Sequence, residues 1–92
     1  MNEEQRRREA IEILRAVRSF RRKQQVYFSK GYLNSDGKKA LVAIIKRCVR
    51  LKPSTKKFLY DKFKEGSLDK VLVLLEYLED VLEEEVKQSN FE

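Results

Sequence analysis

The sequence predicts an all-α protein: a small four-helix, bundle-like domain with a long N-terminal helix and an amphipathic, leucine-rich C-terminal helix. Three observations carry this. Apolar residues recur at helical spacings in four separate stretches, alternating by three and four in the first and the last. The helix breakers sit between those stretches, with Pro53 the one proline and Gly31, Gly37 and Gly66 standing alone. Ninety-two residues at 41% hydrophobic content suit a single domain, 1–92, with one modest core. Expected helices cover about 3–28, 36–51, 53–64 and 68–87. A three-helix domain with the first helix lying across it is the alternative packing.

The first stretch contains no glycine or proline. Ala10, Ile13, Val17, Phe20, Gln24 and Tyr27 form its core stripe, and Leu14 and Phe28 widen it. On the far side Arg8, Arg15 and Arg22 recur every seventh residue, with Arg18 between the last two. Arg8 to Arg22 spans roughly 21 Å at about 1.5 Å per residue, enough to follow several phosphates. Arg6, Arg7, Arg21 and Lys23 broaden the strip. A charged helix face is usually just solvated. Here, however, no carboxylate follows Glu12 to make four-apart pairs, and Arg outnumbers Lys seven to one between 5 and 23. Arginine suits bidentate phosphate contact. Ile11, at an exposed angle among these arginines, suits a protein contact.

Ser29–Gly37 reads as a connection, with Gly31 ending the first helix and Asn34 or Ser35 capping the second. Tyr32 and Leu33 are expected to fold back on the core. In the second helix Leu41, Ile44, Ile45, Cys48 and Leu51 face inward, leaving Lys39, Lys46, Arg47 and Arg50 outside. Lys52 and Pro53 end it, because a residue before proline is pushed out of the α region, and Pro53 is well placed to start the next helix. The third helix buries Phe58, Leu59 and Phe63 and exposes Lys56, Lys57, Lys62 and Lys64.

This Pro-containing corner invites comparison with a helix-turn-helix. The would-be recognition helix lacks the Asn, Gln or Arg that reads base edges, so phosphate contact without sequence choice is expected. Tyr60, beside Lys56 and Lys57, has two readings: a stacking platform for a single-stranded base, or, favoured, a tyrosine at the edge of the core.

In the last helix Leu68, Val71, Leu75, Leu78 and Leu82 form one apolar line and Leu74, Tyr77 and Val81 a second beside it. Together they cover more than half the circumference, so neighbours on two sides are expected. Asp69, Glu76, Glu79, Asp80 and Glu83 form a narrow acidic ridge. Ser67 is its expected N-cap, after Gly66 ends the third helix. Gln88–Glu92 is polar apart from Phe91, an anchor that a partner pocket would take.

Charge divides along the chain. The formal total is +6, but residues 1–64 carry 19 basic and 6 acidic side chains (+13), against 2 and 9 in 65–92 (−7). Such asymmetry suggests one polyanion-facing part, or two parts that attract each other within the fold. With no histidine and a single cysteine inside an apolar pattern, His-based catalysis, the usual zinc sites and a disulfide framework fall away. There is no glycine-rich phosphate loop, and Glu76, Glu79 and Glu83, though on one face, read as a solvated ridge. A non-enzyme without metal or cofactor is expected. No run of 18 apolar residues and no secretory pattern occurs, so a cytoplasmic location is expected and a membrane partner is not. A charged content of 39%, rich in Lys, Arg and Glu, is similar to thermophilic usage.

The expected function is a non-catalytic binding subunit that contacts a nucleic-acid backbone, DNA in the first instance. Its contact residues are Arg7, Arg8, Arg15, Arg18, Arg22 and Lys23 of the first helix, with Lys39, Lys46 and Arg50 of the second and Lys56 and Lys57 of the third. Ile11, Leu74, Tyr77, Val81 and Phe91 are the expected docking residues for a larger protein. The alternative is a protein–protein adaptor or homo-oligomerising scaffold that does not bind nucleic acid. In its small size, high Lys and Glu content, long N-terminal arginine helix and acidic last helix, the chain resembles the small basic accessory subunits of the crenarchaeal family-B DNA polymerase holoenzyme. That resemblance implies a subunit that binds a polymerase and helps it retain template DNA.

Overall fold

A capping box starts the first helix. In the computed structural model, which describes residues 2–89, the Asn2 side chain accepts from the Gln5 N–H at 2.8 Å while Gln5 Oε1 accepts from the Asn2 N–H at 3.1 Å. Helix α1 runs Glu3–Arg22 and stops earlier than its sequence suggests, because Lys23 leaves the helical region at φ −107°, ψ 33°. A single further turn, α2 (Gln24–Tyr27), follows. The break brings aromatics together. In a straight helix residues 20 and 27 lie about 10.5 Å apart along the axis, whereas the Phe20 and Tyr27 rings stack with centroids 4.5 Å apart and Phe28 meets Phe20 edge-on at 6.3 Å. Val26 turns outward as a result and Gln24 is only half-buried.

The expected connection contains a small antiparallel hairpin, β1 (Phe28–Ser29) and β2 (Tyr32–Leu33), with Phe28 opposite Leu33. Gly31 therefore serves this turn and does not end a helix. Lys30 and Gly31 both have positive φ, 54° and 83°, as a two-residue type I′ turn requires. The hairpin is laced to a distant corner: Leu33 N–H donates to the Gly66 carbonyl and Leu68 N–H to the Gly31 carbonyl, each at 2.8 Å. Leu33 is buried as expected, but Tyr32 is 59% exposed and does not fold back. Strand alternation explains this, since adjacent residues point to opposite faces.

Helix α3 (Ser35–Leu51) is capped by Asn34, whose side chain accepts from the Gly37 N–H at 2.7 Å. A Cβ at Gly37 would overlap the Tyr27 carbonyl oxygen and lie 2.9 Å from a Leu33 methyl, so this position admits only glycine. Pro53–Thr55 forms one 3-10 turn that leads into α4 (Lys56–Glu65), which ends at Gly66 in the left-handed region. Helix α5 (Leu68–Ser89) is the centre of the bundle. Its wide apolar arc is covered on two sides by α1 and α4, both from the same chain, and α3 packs against α1 and α4. Val71, Leu74, Leu75, Leu78 and Leu82 of α5 join Ala10, Ile13, Val17, Leu41, Ile45, Cys48 and Leu59 in one core cluster without solvent exposure. Burying each such Leu, Ile or Val contributes roughly 1.5–3 kcal/mol. The protein is thus essentially all-α, and no described helix is long and apolar enough to cross a membrane.

Candidate nucleic-acid interface

Basic side chains fall into two classes according to what packs opposite them. Where α1 lies antiparallel on α5, Glu76, Glu79 and Glu83 of the acidic ridge and Glu85 beyond it meet arginines, while Asp69 and Asp80 stay exposed. Arg6 holds Glu85 through Nε and Nη2 at 2.9 and 2.5 Å, Arg18 meets Glu83 at 3.0 Å, and Arg21 meets Glu79 at 2.8 Å with Glu76 at 4.0 Å. Side-chain exposures of 13% for Glu85 and 19% for Glu79 place these two contacts nearly inside the interface. On the other flank of α1, Arg47 of α3 turns inward to Glu9 at 2.9 Å and Glu12 at 3.1 Å. The hydrogen bond to Glu9, ahead of the opposing cost of burial, holds its guanidinium above its already high range. Arg47 is therefore a tie between helices and not one of the outward cations of α3.

Half of the expected strip on α1 is occupied in the same way. Arg8 pairs with Glu4 at 2.6 Å, a contact exposed on both sides, and Arg18 with Glu83. Arg7, Arg15, Arg22 and Lys23 are exposed and make no ion pair among the described residues. Beside the strip, a shallow depression of about 460 Å³ is lined by Gln5, Arg8, Glu9 and Glu12, whose carboxylates oppose a polyanion.

The second class lies on α3 and α4. Lys39, Ala43, Lys46 and Arg50 follow a four-three-four spacing, all exposed, on the side of α3 opposite its buried Leu41, Ile45 and Cys48. Lys39 to Arg50 spans about 16 Å along the axis. The chain then turns through Lys52 and Pro53 into α4, where the exposed Lys56, Lys57 and Lys64 share a face with the half-buried Tyr60. None of these cations has a carboxylate partner among the described residues. Pro53, Ser54, Lys56, Lys57, Tyr60, Asp61 and Lys64 line an open depression of about 500 Å³. Lys62 is different: its ammonium sits 5.5 Å from the centre of the Phe58 ring, which itself packs on Tyr77 of α5.

The expected docking residues divide too. Leu74 is fully buried in the core cluster and cannot meet a partner. Ile11, Tyr77 and Val81 are half-buried, and Phe91 lies outside the described residues. Val73, which the apolar lines of the sequence leave out, is 47% exposed. Cys48 is buried beside Thr55, and burial pushes its thiol up, against smaller opposing effects of Thr55 and Lys52. Among the described residues no group of His, Cys, Asp or Glu could hold a metal ion. Compared with protein-family models, with curated proteins and with solved structures, the chain matches none of them at a significant level.

Proposed function

We propose that this chain is a non-catalytic accessory subunit that holds a nucleic-acid backbone, DNA in the first instance, across the outer surface of α3 and α4, and so helps a larger DNA-handling protein such as a polymerase stay on its template. One observation carries this reading. Between residues 38 and 64 there are ten Lys and Arg and a single carboxylate, Asp61, and only Arg47 of those ten is held by carboxylates among the described residues. Such density of uncompensated charge opposes folding through self-repulsion and is relieved when phosphates replace small counterions.

The test is a titration of labelled duplex DNA at several salt concentrations, with wild type and the triple variant Lys39→Gln, Lys46→Gln, Arg50→Gln. The expected result is a loss of affinity of about a hundredfold and a salt dependence flattened by about 0.9 logarithmic unit per lost contact. A control with Arg8→Gln and Arg18→Gln, both already paired, should change affinity less. Equal binding by the triple variant and wild type would overturn the reading. A second reading, a protein adaptor, is favoured by one feature: Val73, Tyr77 and Val81 recur every fourth residue along α5 and are all at least partly exposed. A stable oligomer in high salt with no DNA affinity would select it.

A further inference from the structure

We infer that the depression on α4 is a single-strand subsite in which Tyr60 stacks a nucleobase while Lys56, Lys57 and Lys64 hold the flanking phosphates, a proposal that rests on the backbone-binding reading and refines it. At 100° per residue Lys56, Lys64 and Lys57 surround the angular position of Tyr60 on one flank of α4, about a quarter-turn from the buried Leu59, and Pro53 lines the same depression. Lys57 and Lys64 lie about 10.5 Å apart along the axis, with Tyr60 between them. The ring is half-buried and packs at the edge of the core, as the favoured reading of the sequence expects, where Phe63 meets it edge-on at 6.4 Å and 89°. A platform so fixed loses little freedom when a base stacks on it.

Two features separate this surface from one built for a duplex. In a duplex the base faces are already stacked on each other, so an aromatic ring among phosphate-binding lysines has nothing to meet; an unpaired base offers its face. Asp61, on the rim of the same depression, repels phosphate but is an acceptor for the exocyclic amine of an unpaired base. The long basic stripe of α3 then continues the strand's path by charge alone, which binds either form of nucleic acid.

The experiment compares a labelled single strand of roughly twelve nucleotides with its duplex and with poly-glutamate, for wild type, Tyr60→Phe and Tyr60→Leu. Leucine keeps apolar bulk against Phe63 but has no π face, and circular dichroism with thermal melting checks that each variant is folded. Tyr60→Phe should bind the single strand like wild type, and Tyr60→Leu about tenfold more weakly, with duplex binding unchanged for both. Duplex binding with no response of the single strand to Tyr60→Leu would overturn the subsite and leave the backbone reading in place. Absence of binding to either nucleic acid would overturn both. Poly-glutamate bound as tightly as the single strand, and weakened equally by Tyr60→Leu, would overturn the subsite in favour of an acidic peptide site.

Discussion

The α1–α5 interface and the α3–α4 surface are built from the same kinds of residue and use them in opposite ways. Arg6, Arg18 and Arg21 of α1 and Glu76, Glu79, Glu83 and Glu85 of α5 neutralise each other across a helix pair, so the basic and acidic parts of the chain meet along this one seam. On α3 and α4 every cation except Arg47 lacks a carboxylate partner among the described residues. What distinguishes a structural from an available positive charge is therefore the helix packed alongside. Exposed pairs of this kind contribute little, about 0–1 kcal/mol, whereas pairs as sheltered as Arg6–Glu85 and Arg21–Glu79 contribute more, because removing one partner strands the other.

The comparison would be disturbed most by unseating α3, which carries the free stripe. Gly37→Ala forces a methyl group against the Tyr27 carbonyl and the Leu33 side chain, and a loss of about 2–3 kcal/mol is expected, read by urea or thermal unfolding. The stripe's charges are unchanged in this variant. Any fall in DNA affinity at a temperature where the protein is still folded thus reports the stripe's position.

A smaller change would convert one class into the other. Glu79→Gln with Glu83→Gln releases Arg18 and leaves Arg21 only the more distant Glu76 at 4.0 Å, and the expected cost is about 1–2 kcal/mol. DNA affinity should rise several-fold, since one guanidinium group becomes available, a second is loosened and two negative charges leave. A fall in affinity instead would mean that the intact α1–α5 pairing belongs to the binding surface, contrary to the division drawn here.

Core integrity beneath the stripe has its own pH signature. Because the buried Cys48 thiol is pushed up in the folded chain, the native state keeps a proton that the unfolded state gives up. Its contribution is complete below the ordinary thiol value of about 8.5 and is lost as pH rises through the folded value. Wild-type Tm should therefore fall between about pH 8.5 and 9.5 more than that of Cys48→Ala, by an amount equivalent to about 1 kcal/mol at most per unit.

Much of the frame was legible in the sequence because periodicity reports burial: all five inward residues of the second predicted helix are in the core, and the two-sided arc of the last helix has its two neighbours. The early end of α1 was not legible, because Lys23 carries no breaker signal. The break follows from tertiary contacts, the Phe20–Tyr27 stack and the Asn34 side chain donating to the Val26 carbonyl at 2.7 Å. Charge was the harder quantity. Arg8, Arg15, Arg18 and Arg22 share a periodic face, yet whether a ridge 65 residues away supplies Glu83 to Arg18 depends on packing that no local pattern encodes. The +13 and −7 halves gave the hint that the ridge and the strip could meet. The burial of Leu74 escapes the sequence for a similar reason: a second apolar line marks a surface only where the chain's own helices do not cover it.

The smallest expected effect separates located charge from net charge. Lys30 is a cation outside the α3–α4 surface, held at φ 54° in the hairpin turn, where a side chain other than Asn, Asp or Gly costs roughly 1 kcal/mol. Lys30→Asn should relieve part of that cost and raise stability by about 0.5 kcal/mol, or about 2–4 °C in Tm. It also lowers the net charge by one unit, the same change as any single Lys→Gln substitution within the stripe. If binding follows overall charge, Lys30→Asn and Lys46→Gln should weaken DNA binding equally. If it follows the α3–α4 surface, Lys30→Asn should leave affinity within about twofold of wild type while Lys46→Gln flattens the salt dependence by about one contact.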